Sequence, residues 1–202
     1  MIKGFEPIEG ETSIEDVSGL KIKSVTNRKE LAEVEFKNIA KALLKYLAAK
    51  PSRRIAPFHF SWVLKLHEEM FCDVWDWAGK VRDKELTLGV APEQIRGLLQ
   101  SLVKDIPEWQ EYGMDIQEQA AYVHMRAVKI HPFLNGNGRW SRLLANIHLR
   151  INDAPLTTWP ERTIGEESEV REDYIAAVKR AVAGNVSSLY ELHLKYKEVN
   201  TD

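Results

Sequence analysis

The helical periodicity of the apolar residues is the feature that most constrains the fold of this chain. The first strongly periodic segment places large apolar residues three to five positions apart, on one helix face: Leu31, Val34, Ile39, Leu43 and Leu47. We predict that this helix begins at an N-cap at Thr26 or Asn27 and ends before Pro51. Helical patterns return in six further segments: 58–71, 92–106, 116–130, 139–151, 169–182 and 186–199.

The segment between the second and third predicted helices lacks this period. Gly79, Gly89 and Pro92 interrupt it, which favours a loop or a small β-hairpin. No repeat or low-complexity linker divides the chain. We therefore predict an all-α protein with one helical domain over residues 26–202, preceded by an N-terminal arm over residues 1–25.

Composition excludes several classes of protein. The 202 residues carry a formal net charge of −2, so the chain has no strong field that would attract nucleic acid or an anionic membrane. No apolar run approaches the ~20 residues that span a bilayer. The single cysteine, Cys72, excludes an internal disulfide and a zinc site built from several cysteines. We expect a cytoplasmic protein that binds neither nucleic acid nor membranes.

The chemistry is concentrated in residues 130–142, which read IHPFLNGNGRWSR. The four residues NGNG cannot continue a helix cheaply, and they leave backbone N–H groups free where the next helix begins. Free amides at a helix N-terminus form an anion site. Arg139 and Arg142 share a helix face above it and suit a polyphosphate. His131 is placed to take a proton, and Asn135 offers an oxygen that would bind Mg²⁺ weakly.

Three stretches of the chain resemble the Fic (Fic/Doc) family. HPFLNGNGRWSR matches the signature H-x-F-x-(D/E)-G-N-G-R-x-x-R at every fixed position but one. MFCDVWDWAGKVR and LTLGVAPEQI are similar to the tryptophan-rich segment and the flap that precede that signature. SVTNRKELAEVEFKNI is similar to the opening of the subgroup called "mobile mystery protein B". The resemblance covers most of residues 26–189.

The resemblance implies a Fic-type helical bundle with a small β-hairpin flap, and a protein adenylyltransferase that moves AMP from ATP to a Ser, Thr or Tyr hydroxyl. His131 matches the catalytic base and Phe133 a buried anchor of the loop. The implied nucleotide-binding residues are Asn135, Gly136, Asn137, Gly138, Arg139, Arg142 and Tyr174. A target protein would dock by strand addition on Lys84, Glu85, Leu86, Thr87 and Leu88. The implied cofactors are ATP and Mg²⁺, and a partner antitoxin or regulator is a further implied partner.

Two positions depart from the family pattern. Asn135 stands where most members have an acidic residue that holds Mg²⁺, so metal binding should be weak. Thr26-x-x-x-Glu30 partly matches a motif whose glutamate contacts the second signature arginine and inhibits nucleotide binding, but Leu31 follows instead of Gly or Asn. The residues 26–48 thus form either an inhibitory helix, with Glu30 on Arg142, or an ordinary capped helix.

The residues leave other functions open. A Doc-like phosphotransferase or the transfer of another nucleotide would keep the fold, although Gly138 stands where Doc-like motifs have lysine. A nucleotide-binding regulatory module without catalysis is the second alternative, and Asn135 would then mark the loss of activity. A metal-dependent nuclease is disfavoured because the acidic ligands and a basic surface are missing.

Overall fold

The computed structural model describes residues 17–199, and this part of the chain folds into eight α-helices. In chain order they are α1 (Arg28–Leu47), α2 (Phe60–Phe71), α3 (Pro92–Glu111), α4 (Ile116–Ile130), α5 (Asn137–Ile151), α6 (Glu161–Ile164), α7 (Glu169–Val182) and α8 (Ser187–Lys195). The predicted all-α class is confirmed.

The predicted helix bounds hold best where the sequence carries a clear cap. The bounds of α4 and α7 agree with the prediction, and Asp115 and Ser168 cap their first turns through their side chains. Helix α1 begins after Asn27, whose side chain accepts a hydrogen bond from the Glu30 amide. Helix α3 continues past the predicted end at 106, with Pro107 inside it.

Of the loop and the small β-hairpin predicted between α2 and α3, the structure shows the loop, and the hairpin flap that the resemblance implies is wrong. Residues 79–91 form an irregular loop without a paired strand. The buried Arg82 guanidinium binds the carbonyl oxygens of Lys84 (2.7 Å) and Val90 (2.5 Å), so these oxygens bond to a side chain instead of a neighbouring strand. Among residues 17–199 the β-structure consists of two isolated bridges, which join Leu20 to Trp75 and Thr157 to Lys197.

Helices α4 and α5 form the centre of the bundle. Helix α4 packs against α3, α5, α7 and α8, whereas α1 and α2 cover the other side of α5. Trp140 of α5 is fully buried, donates its indole N–H to the carbonyl of Val63 (3.0 Å), and meets Phe133 edge to face at 5.1 Å. This packing fixes the loop between α4 and α5, which carries the residues of the signature.

Residues 1–16 of the predicted N-terminal arm lie outside the described part of the chain. Residues 17–25 pack on the bundle, and the Lys21 amide donates to the Val74 carbonyl (2.9 Å). Within residues 17–199 no helix is both long enough and apolar enough to cross a bilayer.

Candidate active site

The loop between α4 and α5 is shaped by two residues in the left-handed region of backbone conformation. His131 ends α4 with φ of 51°, and Gly136 begins α5 with φ of 77°. A Cβ atom at Gly136 would lie 2.6 Å from the Phe71 ring, so only glycine fits there. Asn137 closes the loop, because its side chain accepts from the Phe133 amide (2.9 Å) and donates to the Phe133 carbonyl (2.8 Å).

His67 of α2 packs against this loop. Its ring stacks on Phe133 with centroids 3.6 Å apart, and its Nδ1 accepts the Gly79 amide at 3.0 Å. The other nitrogen, Nε2, therefore carries the proton and donates to the Asn135 carbonyl (3.0 Å). Burial lowers the pKa of His67 to about 3, so the ring is neutral. No local pattern marks His67 in the sequence, because its contacts join distant parts of the chain.

His131 is buried and lies in the wall of a cavity of about 220 Å³. Burial lowers the pKa of its imidazole to about 4, and the nearby Arg82 charge lowers it further, against a hydrogen bond to the Val128 backbone that raises it. The ring is therefore neutral at pH 7 and has a nitrogen that can accept a proton.

Arg82 ties the flap loop to His131. Its Nε donates to the His131 carbonyl (2.7 Å), and its backbone amide donates to the Pro132 carbonyl (2.9 Å). The flap passes so close that a Cβ atom at Gly89 would lie 2.6 Å from the Cβ of His131. Four of the predicted docking residues are exposed and one is half-buried; in chain order the set is Lys84, Glu85, Leu86, Thr87 and Leu88.

Arg139 is held by a buried glutamate of α1. Its Nη1 contacts Glu35 Oε2 at 2.6 Å, and its guanidinium lies over the Phe71 ring at 4.9 Å. The second oxygen of Glu35 accepts the Trp75 indole N–H at 2.7 Å. Glu35 is 5% exposed and has two fixed partners, so it belongs to the wall of the site. Glu35 has no distinctive pattern in the sequence, because charged and apolar residues alternate along α1 as in any amphipathic helix.

Arg142 makes a two-pronged contact with Glu161 at the start of α6. Its Nε and Nη2 donate to the two carboxylate oxygens at 2.7 and 2.5 Å, and its Nη1 donates to the Tyr174 hydroxyl at 3.1 Å. Burial alone would lower the pKa of Arg142, but the Glu161 charge raises it above its ordinary value. Burial raises the pKa of Tyr174. Glu161 lies on a four-residue helix, which is too short to show a periodic pattern.

The predicted contact between Glu30 and Arg142 is wrong. The Glu30 carboxylate accepts hydrogen bonds from the amide (2.8 Å) and the hydroxyl (3.0 Å) of Thr26, and these bonds lower its pKa. Glu30 is exposed and does not line the cavity, whereas Glu161 does. The motif around Thr26 thus acts here as a helix cap.

The structure offers little to a metal ion. Asn135 Oδ1 accepts the Gly136 amide at 2.6 Å, so the one predicted metal ligand is already bonded to the loop. No group of three or more His, Cys, Asp or Glu side chains between residues 17 and 199 is arranged to hold a metal. The side chain of Asn137 is likewise used within the loop, which leaves its backbone for a ligand.

The cavity gathers the catalytic and nucleotide-binding residues predicted from the sequence. Its lining includes His131, Asn135, Gly136, Asn137, Gly138, Arg139, Arg142 and Tyr174, together with Glu35 and Glu161. Two guanidinium groups and the N-terminus of α5 therefore face one space beside a neutral imidazole. This arrangement suits an anion that can replace a carboxylate on arginine.

Comparison with known proteins agrees with this geometry. Residues 57–149 match the model of the Fic/DOC family. The chain is 31% identical over 127 residues to the protein adenylyltransferase fic-1 of Caenorhabditis briggsae, and 30% identical over 129 residues to the protein adenylyltransferase Fic of Drosophila persimilis. Each alignment covers 61% of this chain but 24% of the relative, so the chain spans about a quarter of their length.

Solved structures share the fold. A structure of Fic-1 from C. elegans superposes with a TM-score of 0.68 at 24% identity, over 89% of this chain and 52% of that one. The BepC protein of Bartonella tribocorum, solved with bound AMPPNP, also gives a TM-score of 0.68 at 20% identity, over 93% of this chain and 96% of that one.

Proposed function

We propose that this chain, whose residues 57–149 match the model of the Fic/DOC family, is a protein adenylyltransferase. It transfers AMP from ATP to a Ser, Thr or Tyr hydroxyl of a target protein. One observation carries this function: a neutral His131 and the guanidinium groups of Arg139 and Arg142 face one cavity at the N-terminus of α5.

The phosphates of ATP bind where α5 begins. Gly136 in the left-handed conformation opens the helix, and the first amides of α5 point along its axis toward the cavity. Arg139 and Arg142 add five donors each in a planar fork that matches phosphate oxygens. Because Gly138 has no side chain, this wall of the cavity stays open to a bulky phosphate.

His131 then acts as the general base. The target hydroxyl gives its proton to the imidazole, and the hydroxyl oxygen attacks the α-phosphorus of ATP. The bond from that phosphorus to the bridging oxygen breaks, and pyrophosphate leaves. The ring is neutral at pH 7 and can therefore accept the proton, and its lowered pKa means that it gives the proton up again readily.

Glu161 restrains the resting enzyme. Its carboxylate occupies two of the donors of Arg142 that a phosphate would use. We assign to Glu161 the inhibitory role that the family resemblance implied, as one alternative, for Glu30. ATP must displace this carboxylate before its distal phosphates can bind Arg142.

Mg²⁺ would bind together with ATP. Asn135 is its candidate ligand from the signature, with an uncharged oxygen that would have to leave the Gly136 amide. The phosphates would supply the charge that holds the ion. We derive no step through the metal.

The target protein docks on the flap. Lys84, Glu85, Thr87 and Leu88 are exposed on the flap, which approaches His131 at Gly89. An extended segment laid along them would present its hydroxyl to the imidazole.

Incubation with labelled ATP tests this function. The wild type should add the mass of one AMP to a Ser, Thr or Tyr residue of itself or a target, and His131→Ala should lose about 10²–10⁴-fold in rate while it still binds ATP. His59→Asn is the matched control, because His59 is exposed and Asn also caps helices. Addition of a phosphate alone would support the Doc-like alternative. ATP binding without transfer by any variant would support a regulatory module.

A further inference from the structure

A chain of buried side chains runs from Arg142 away from the cavity. The Tyr174 hydroxyl, which accepts from Arg142, lies 3.0 Å from His124 Nε2, and His124 Nδ1 lies 3.1 Å from His193 Nε2. His193 Nδ1 ends the chain at the Thr157 hydroxyl, 2.8 Å away. These residues come from α4, α5, α7, α8 and the segment after α5, so the chain joins five parts of the bundle.

The rings in this chain have little freedom to move. His124 and His193 are fully buried, and the Trp159 ring packs edge to face on both, at 5.4 and 4.9 Å. Burial lowers the pKa of His193 to about 3 and that of His124 well below its ordinary value. A neutral imidazole donates through one nitrogen and accepts through the other, so each ring can link two neighbours.

Arg142 therefore has two kinds of partner. Glu161 is 48% exposed in its side chain and lies on a four-residue helix, so an incoming phosphate can replace it. Tyr174 is 5% exposed and is bonded to the buried histidines, so it stays in place when the carboxylate leaves. An arginine that keeps one anchor during the exchange loses less conformational entropy on binding phosphate.

We propose that His124 and His193 are positioning residues for Arg142. They hold the Tyr174 hydroxyl where it anchors Nη1, while Nε and Nη2 exchange Glu161 for a phosphate of the nucleotide. This inference rests on the proposed function, because it assigns the histidines to the binding of ATP. The two histidines do not line the cavity, so they would act on ATP through Tyr174 and Arg142.

A matched pair of amide substitutions tests the chain at His124. The amide of His124→Gln reaches the place of Nε2 and can still bond to Tyr174. The shorter amide of His124→Asn reaches the place of Nδ1 and keeps only the contact with His193. We expect His124→Asn to bind ATP about five- to tenfold more weakly by calorimetry, in line with the loss of one hydrogen bond, and His124→Gln to restore most of the affinity.

Two further measurements separate positioning from stability. Tyr174→Phe should weaken ATP binding as much as His124→Asn does, and the double variant should show no additional loss. AMP, which lacks the distal phosphates, should lose less affinity than ATP in each variant. Thermal unfolding of both His124 variants checks that the folded fraction is the same.

Equal ATP affinity in the wild type and His124→Asn, or equal losses in His124→Asn and His124→Gln, would overturn the inference. A measurement without nucleotide tests the positioning role of the histidines separately from the proposed function. The Arg142 Nη1–H signal, which reports the bond to Tyr174, should persist in ¹H–¹⁵N spectra of His124→Gln and broaden in those of His124→Asn. If the wild type binds no ATP, the proposed function fails, and this signal alone decides whether the histidines position Arg142.

Discussion

Replacement of Glu161 by alanine should convert Arg142 from a paired residue into an open phosphate site. In the resting structure Glu161 holds two of the guanidinium donors, at 2.7 and 2.5 Å. ATP must break both contacts before it gains its own. The variant removes this competition and leaves the Tyr174 anchor in place, so we expect tighter ATP binding.

The size of the effect follows from the burial of the pair. A hydrogen bond to a charged group contributes about 1.5–3 kcal/mol when it is well shielded. Arg142 is 5% exposed, but the Glu161 side chain is 48% exposed, so water weakens the contact and the lower end applies. About 1.4 kcal/mol corresponds to a tenfold gain in ATP affinity.

The same substitution should destabilise the protein without nucleotide. It leaves a buried guanidinium without its carboxylate, and because the Glu161 side chain is 48% exposed we expect a cost of about 1–3 kcal/mol, below that of a fully buried pair. Saturating ATP returns a negative charge to Arg142 and should recover most of this loss. Compared with the wild type, Glu161→Ala should have a lower melting temperature without ATP, and ATP should raise its melting temperature by more.

Calorimetry with ATP and thermal unfolding with and without ATP measure both effects. Glu166→Ala is the control, because Glu166 follows α6 closely and forms an exposed pair with Arg162 at 3.7 Å. It should change neither quantity. Wild-type ATP affinity in Glu161→Ala, together with a lower melting temperature, would show that Glu161 only stabilises the fold and does not compete with phosphate.

Three further predictions concern metal, the N-terminal helix and pH. Asn135→Asp should lower the Mg²⁺ concentration for half-maximal transfer, because a carboxylate binds the ion better than an amide; equal titrations would show that position 135 does not contact the metal. Glu30→Gly should lower stability in urea, through lost bonds to Thr26, and should leave ATP affinity unchanged. The free energy of unfolding should fall from pH 7 to pH 5, because the buried neutral histidines gain protons only in the unfolded state. Each such histidine should lower it by about 2 kcal/mol over this range. A flat profile would contradict this. The histidines with a pKa lowered to about 3 or 4 are His67, His131, His148 and His193.

The loop of the site could be predicted from the sequence because its requirements are local. Gly136 is needed at one backbone conformation, and Arg139 and Arg142 follow it at fixed helical spacing. His131 lies in the same short segment. Such contacts depend on neighbours in the chain, which a sequence displays directly.

The partners of these residues could not be predicted in the same way. Glu35 reaches Arg139 across 104 positions of the chain, and Arg82 reaches His131 across 49. A charged residue on an amphipathic helix has the same pattern whether it faces solvent or a distant arginine. Gly79 and Gly89 indicated a loop or a small hairpin, and the resemblance implied the hairpin. Neither reveals that Arg82 binds the carbonyl oxygens that a paired strand would need.

If targets dock on the flap as proposed, the Arg82 contacts make target docking and the position of His131 depend on each other. One guanidinium bonds to carbonyl oxygens of the flap, at Lys84 and Val90, and of the catalytic loop, at His131. A displacement of residues 84–88 would therefore also shift the peptide group of His131 and its imidazole. A target that binds the flap poorly would lose turnover as well as affinity, so the enzyme would discriminate among proteins by the rate of transfer.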